Sequence, residues 1–243
     1  MSLSAALTAP RREPARVVHC ADALGWLRDS APLTGASVVT SLPDVSELPT
    51  LGFAAWRQWF VDAAELTARS VPAGGVVIFF QSDIRHQGRW VDKGALCTTG
   101  AEHAGLAPVF HKIVCRKPPG TSTLGRATYA HLLAFAHPAE IRLARHPTPD
   151  VLADGGAVVG RKAMGLAACA LACRFIRNET PSRTIVDPFC GWGTVLAVAN
   201  ALGLDAVGVD LSARMCRRAR RLTVDLDAGL AGGPYLSGGS VSA

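Results

Sequence analysis

A single α/β domain is what this sequence predicts, and three observations predict it. Short β-branched or aromatic runs alternate along the chain with stretches of helical period. A hydrophobic content of 49% in 243 residues is enough to bury one sizeable core. A glycine-bearing turn lies between a strand-like and a helix-like segment, and an acidic residue ends the strand that follows.

In chain order, residues 1–15 mix proline, arginine and small residues without a sustained period and are expected to form a flexible arm. Arg16-Val17-Val18-His19 starts the ordered structure as a short strand. Asp22 is placed to cap a helix over 23–28, where Leu24 and Leu27 share a face. Ser37-Val38-Val39-Thr40 is a second strand, which stops at the loop Ser41-Leu42-Pro43-Asp44. The aromatic and alanine spacing predicts a helix over 53–70, ended by Pro72-Ala73-Gly74-Gly75 before the buried strand 76–80. A polar stretch over 81–93 leads into a Gly/Ala-rich segment with room for a helix before Leu106. Two further strands, 109–115 and 131–136, flank the loop 116–126, which is long enough to suggest a function. Residues 137–160 read as a linker or substrate loop. A helix over 161–177, a strand over 184–186, a helix over 193–202, a strand over 206–209 and a basic helix over 212–226 complete the domain, taken as 16–227. The Gly/Ser-rich tail 228–243 is expected to be disordered.

The formal charge of +6 suits an acidic partner such as nucleic acid, and ordinary solubility accounts for it equally. The cysteines, at 20, 97, 115, 169, 173, 190 and 216, are odd in number and lack C-x-x-C spacing, which argues against a disulfide framework and a zinc site. Cys169 and Cys173 read as small buried side chains of an alanine-rich helix, and no metal is expected. The N-terminus has its basic residues after the short apolar stretch, the reverse of a secretory signal. No run reaches the roughly 18 apolar residues of a membrane span. A cytoplasmic location away from membranes is expected.

The sharpest signal is Asp187-Pro188-Phe189-Cys190-Gly191-Trp192-Gly193-Thr194, followed 23 residues after Asp187 by Asp210 in Gly208-Val209-Asp210-Leu211. Glycines at a strand-to-helix turn let a ligand approach the backbone, and a carboxylate on the next strand can accept both ribose hydroxyls. A nucleoside cofactor fits. Leu196 stands where a dinucleotide fingerprint needs its third glycine, which counts against a dinucleotide.

The string DPFCGWGT with GVDLS resembles the cofactor motifs of S-adenosylmethionine-dependent methyltransferases, in the form seen among DNA and RNA amino-methyltransferases. Val17 to Leu24 (VVHCADAL) and Thr40-Ser41-Leu42-Pro43-Asp44 resemble, in position, the strand, helix and [D/N/S]PP[Y/F/W] motif of the permuted β-class arrangement. The resemblance extends over most of residues 16–226. It implies a Rossmann-like class I methyltransferase fold, a mixed seven-stranded sheet flanked by helices, with circularly permuted motif order.

The resemblance also implies that Asp187, Pro188, Phe189, Cys190, Gly191, Gly193 and Thr194 form the S-adenosyl-L-methionine loop, that Asp210 holds the ribose, and that Leu211 flanks the adenine. Asp22, Ala23 and Thr40 complete the cofactor set. Asp22 is both a helix cap and a residue near the adenosyl group. Ser41, Leu42, Pro43 and Asp44 are the candidate catalytic residues, Ser41 and the Leu42 carbonyl accepting bonds from a target amine. Two departures stand out. Leu42 replaces the first proline, and Asp44 replaces the aromatic on which a flipped base stacks. Asp44 could instead accept a proton or a hydrogen bond. A polar turn is the structural alternative for this stretch.

Arg116, Lys117, Arg126, Tyr129 and His131 are the candidate substrate-binding residues. The loop carries charge and hydroxyls, with one aromatic beside it, and a solvated connector is its alternative. Arg85, His86, Arg89 and Lys93 form a second candidate patch. Arg214, Arg217, Arg218 and Arg221 would share one helix face, either as an RNA-contacting stripe or as a solvated surface. The expected function is methyl transfer from S-adenosylmethionine to a nucleic acid, with RNA ahead of DNA because no separate target-recognition domain is evident and the stacking aromatic is lost. The alternatives are a small-molecule or protein methyltransferase, or an inactive cofactor-binding partner subunit. Family members with this motif order often pair, so the resemblance allows a homodimer.

Overall fold

The computed structural model describes residues 12–140, 146–160, 162–226 and 241–242. The elements run β1 (Arg16–Cys20), α1 (Ala23–Ser30), β2 (Ala36–Thr40), a 3-10 turn (Val45–Glu47), α2 (Phe53–Arg69), β3 (Val76–Gln81), β4 (Ile84–His86), β5 (Arg89–Val91), α3 (Lys93–His103), β6 (Ala107–Cys115) and β7 (Tyr129–Ala136). After a second 3-10 turn (Pro138–Glu140) come β8 (Val151–Leu152), α4 (Leu166–Glu179), β9 (Thr184–Asp187), α5 (Thr194–Ala201), β10 (Asp205–Asp210), α6 (Ala213–Arg221), β11 (Thr223–Val224) and β12 (Val241–Ser242).

One mixed sheet runs in the order β1-β10-β9-β2-β3-β7-β6-β8. The five strands from β1 to β3 are parallel, and β7 is antiparallel to both its neighbours. The mixed sheet is as expected, with one correction in number: two residues of β8 pair with β6 as an eighth strand. They are pinned by the buried Lys112, whose ammonium bonds the Thr148 carbonyl at 3.1 Å and Asp150 Oδ1 at 2.9 Å.

The period-two alternation of β3 shows why helices cover both faces. Val77 and Phe79 pack with Leu27, Trp56, Phe60 and Leu96 from α1, α2 and α3, whereas Val76 and Ile78 pack with Leu171, Ile176, Leu196 and Cys216 from α4, α5 and α6. Strands buried on both faces read as the continuous apolar runs seen in the sequence.

Two helix boundaries need correction. The helix expected from residue 161 begins at Leu166, because Gly165 lies so close to Gly155 that an added Cβ would sit 2.1 Å from the Gly155 carbonyl oxygen, and Ala167 N–H bonds that oxygen at 2.9 Å. The basic helix ends at Arg221 rather than near 226. Arg16 takes the Ala219 and Leu222 carbonyls, and the β-branched pair Thr223-Val224 turns into β11, antiparallel to β12. The last residues of the expected flexible arm are tied down: Arg12 and the Ala15 N–H both bond Asp205, and residues 1–11 lie outside the described residues. Of the tail expected to be disordered, 228–240 and 243 also lie outside them.

Candidate active site

The strands β1, β10, β9, β2 and β3 deliver their carboxyl ends to one edge of the sheet, and the chain order reverses between β9 and β2. That reversal opens the crevice in which ligands of such sheets bind. Asp187 ends β9 fully inside it. Thr40, at the end of β2, donates its hydroxyl to Asp187 Oδ1 at 2.7 Å, and the Phe189 N–H reaches the same oxygen at 3.2 Å. Burial outweighs these bonds and pushes the Asp187 carboxyl up to about 7.

Beyond Asp187 the loop turns through two left-handed glycines. Gly193 has φ of +81°, and a Cβ there would meet Ala219 Cα at 2.6 Å, so only glycine lets the loop lie against α6. Gly191 has φ of +47° and open space where its Cβ would stand, and its N–H donates to Asp210 Oδ2 at 3.0 Å. Asp210 Oδ1 takes the Ser212 N–H at 2.7 Å. Each carboxylate oxygen keeps accepting capacity for a further hydroxyl. Among the described residues the buried Thr194 hydroxyl has no hydrogen-bond partner at the start of α5. Leu211 is exposed beside this loop, and Cys190 and Pro188 are buried beneath it, so Cys190 packs as expected and its thiol is raised by burial. Asp22 follows β1, the strand beside β10, and caps α1 through the Gly25 N–H at 2.7 Å, with Ala23 buried next to it. An open glycine bend, an available carboxylate and an orphaned hydroxyl fit a nucleoside-bearing cofactor.

The second half of the site follows β2. Ser41 is half-buried, Leu42 is buried, and the Pro43 carbonyl accepts the Trp56 indole N–H at 3.3 Å. Asp44 caps the 3-10 turn in a reciprocal box: its carboxylate takes the Ser46 N–H, and Glu47 takes the Asp44 N–H. The expected polar turn and the candidate catalytic loop are therefore the same piece of chain. Asp44 Oδ2 also faces the Lys93 ammonium at 3.8 Å, and that lysine is buried, 5.9 Å from the Phe60 ring centroid. Burial pulls the lysine pKa below its usual value, against the opposing pull of Asp44. Lys93 was expected only as part of a surface patch. Its place at the first turn of α3, behind a polar stretch, hid the burial.

The expected substrate residues are not brought together. Tyr129 and His131 turn inward to Asp83, whose Oδ2 takes the tyrosine hydroxyl at 3.1 Å and pairs with His131 Nε2 at 3.0 Å. Asp83 Oδ1 takes the Lys93 N–H, and His131 Nδ1 meets His111 Nε2 at 2.9 Å. These bonds hold Asp83 below its ordinary value against the burial that raises it. Asp83, Asp92 and His131 offer ligand atoms within 4.8 Å of one another, but Asp92 is exposed and the other two bond each other. Arg116, Lys117 and Arg126 remain on the exposed loop, with Arg116 bonded to Ser82.

Two aromatic contacts join residues of the second candidate patch and of the glycine loop to α2, whose Phe53 and Trp59 carried no functional expectation. Phe53 stacks on His86 at 4.0 Å, and Trp59 meets Phe189 edge-on at 6.2 Å. His86 belongs to the β4–β5 hairpin, which the sequence presented as a polar stretch. Its Gln87-Gly88 turn, with both φ positive, was the available signal.

The fold and the glycine–carboxylate site define the class of S-adenosylmethionine-dependent methyltransferases, with the cofactor motif in the C-terminal part of the chain. Within that class, the DNA methylase family model matches residues 169–221, the stretch from α4 to the end of α6. A protein of Thermus thermophilus, provisionally assigned as a DNA modification methylase and solved with S-adenosyl-L-methionine, is 19% identical, covers 92% of this chain and 97% of its own, and has a TM-score of 0.64. The M1.HpyAVI complex with the same cofactor is 15% identical over 85% of this chain and 98% of its own, TM-score 0.57. The cytosine-N4-specific PvuII DNA methyltransferase is 16% identical over 85% and 87%, TM-score 0.61. At these identities the shared feature is the fold. No curated protein matches in sequence. No described helix is long and apolar enough to cross a membrane.

Proposed function

We propose that the protein transfers a methyl group from S-adenosyl-L-methionine to an exocyclic amino group of a base in DNA. The observation that carries this reading is the pairing, at one sheet edge, of the Gly191–Asp210 cofactor cradle with the Ser41–Asp44 loop. The DNA methylase match over 169–221 and the DNA methyltransferase folds support DNA, and nothing in the comparisons favours the RNA expected above. When bound, the cofactor supplies a methyl group on a sulfonium. Asp210 orients its ribose, the loop from Phe189 to Gly193 shapes its path, and Leu211 flanks its base.

On the acceptor side, Ser41 Oγ and the Leu42 carbonyl accept the two amine N–H bonds and so direct the nitrogen lone pair at the methyl group. The bound cofactor would supply the methyl carbon to this nitrogen and keep the carbon–sulfur electron pair on sulfur. One N–H proton would then be surplus, and Asp44, held by its cap and by Lys93, is the carboxylate we assign to take it. Phe53 and Trp59 supply aromatic surface for the extruded base in place of the missing motif aromatic.

The test is transfer of radiolabelled methyl from the cofactor to genomic DNA, total RNA and protein extract, with digestion of the product to nucleosides. Label in N6-methyladenine or N4-methylcytosine supports the reading. Label confined to RNA or protein, or heat from cofactor binding without any transfer, removes it.

A further inference from the structure

The arginines of α6 are more than the end of a helix requires. A basic residue in the last turn interacts well with the helix dipole, which accounts for Arg218, Arg220 and Arg221. The carbonyls at that end are also served: Arg16 bonds those of Ala219 and Leu222. Arg214 lies in the first turn, where the dipole disfavours a cation, and Arg217 stands between. Arg214 and Arg218, and Arg217 and Arg221, are like charges four apart, and each such pair works against the helix. No described carboxylate forms an ion pair with Arg214, Arg217 or Arg218, and all three are exposed. Arg214 and Arg217 thus add repulsion that the helix dipole does not offset.

These arginines border a cavity of about 280 Å³ lined by Trp192, Arg214, Arg217, Arg218, Arg221 and Leu222. The Trp192 indole is one of its lining groups, with the Arg218 guanidinium 4.3 Å from the ring centroid and Gly160 so close that a Cβ there would stand 2.2 Å from the ring. Trp192 lies between Gly191 and Gly193, so the glycine bend of the proposed cofactor loop contributes one residue to the cavity lining. Four guanidiniums beside an indole match an anionic polymer with planar groups: their forks bind phosphate oxygens in pairs, and the indole–guanidinium stack offers a flat surface to a sugar or base.

We propose that this arginine groove is a second nucleic-acid contact, which grips the phosphate backbone of substrate DNA outside the base pocket and draws it along α6 toward the crevice. The proposal rests on the DNA-methylase reading above. The groove supplies affinity and no chemistry, so its contribution is electrostatic and independent of base sequence.

The experiment compares the full chain with Arg214→Gln/Arg217→Gln and with a control of equal net charge, Arg28→Gln/Arg177→Gln. Binding of a fluorescent duplex is titrated from 50 to 300 mM salt, thermal midpoints are recorded, and methyl transfer to the same duplex is measured. Removing one arginine from a phosphate reduces the slope of log affinity against log salt by about 0.9, so the groove variant should flatten it by up to about 1.8. The control should leave the slope unchanged, and kcat at saturating duplex should hold while KM rises. Equal slopes in all three proteins overturn the groove while methylation by the parent chain keeps the enzymatic reading. Equal flattening in variant and control reduces the effect to net charge and also overturns it. A variant that loses self-association in sedimentation but keeps its slope assigns the groove to a second copy of the chain. Absence of methylation in every protein, with DNA binding and the slope difference intact, refutes the enzymatic reading and leaves the groove standing.

Discussion

The two halves of the crevice are built by different means. The cofactor half is written in one stretch, from Asp187 to Asp210, and held by backbone: Gly191 N–H to Asp210, Cys190 N–H to the Val209 carbonyl, Gly193 against Ala219. The other half, beyond β2, is assembled from side chains of separate elements: Asp44 after β2 faces Lys93 on α3, and behind them Asp83 after β3 ties in Tyr129 and His131 of β7. A backbone device leaves few choices at each position, because a turn that needs positive φ and close approach excludes every residue but glycine. A side-chain assembly tolerates exchange as long as charge and bonds are satisfied together. That is why an aspartate can stand where the resembled motif has an aromatic: Lys93 supplies its counter-charge and the 3-10 turn uses its oxygens.

The contrast breaks first at Gly193. Gly193→Ala places a Cβ at φ of +81° and 2.6 Å from the Ala219 backbone, so α6 must move or the loop must open. The backbone strain alone costs about 1–3 kcal/mol. Calorimetric titration should show cofactor affinity reduced by roughly a hundredfold or more, with a lower thermal midpoint. Gly191→Ala is the internal comparison. It meets no protein atom, so it should leave the midpoint nearer the parent's while still weakening binding, because its methyl group points into open space beside the loop. Equal effects on stability would show that the packing against α6 is not what requires glycine.

On the acceptor side, Asp44→Asn keeps a good cap and removes the charge. The expected result is a fall in kcat of about 10²-fold, the lower range for a positioned proton acceptor, with cofactor affinity unchanged. Lys93→Met should lower kcat as well, and the double variant should fall short of the product of the two, since paired groups act as a unit. Full additivity, or an unaltered rate for Asp44→Asn, would return the loop to a purely structural role.

The same division explains how much could be read beforehand. The glycine bend, its strand and the carboxylate that ends β10 were legible as structure because local geometry and local sequence coincide there. So were α2 and β3, whose apolar periods are long and bounded by Gly-Gly and proline. Lys93 was not legible, because a lysine after a polar stretch looks like surface until α2 and the loop at Asp44 close over it. Tyr129 and His131 looked available to substrate, and Asp83, fixed only by tertiary contact, turned them inward. The β4–β5 hairpin was hidden by its exposed Arg85 and Arg89, and β8 by its length of two residues.

The smallest effect lies where the halves touch, at the bond from Thr40 to Asp187. Burial pushes Asp187 up to about 7, so from about pH 4 to pH 7 the folded chain keeps a proton that the unfolded chain has released. Stability therefore falls as pH rises through that window and owes nothing further to this group above it. Asp187→Asn can still accept from Thr40 and from the Phe189 N–H, and it carries no ionisable proton. In scanning calorimetry of the cofactor-free protein, the variant should come close to the parent near pH 4.5 and exceed it at pH 8. Parallel profiles across the range would mean that Asp187 ionises without penalty, and that β2 and β9 do not seal the junction against water.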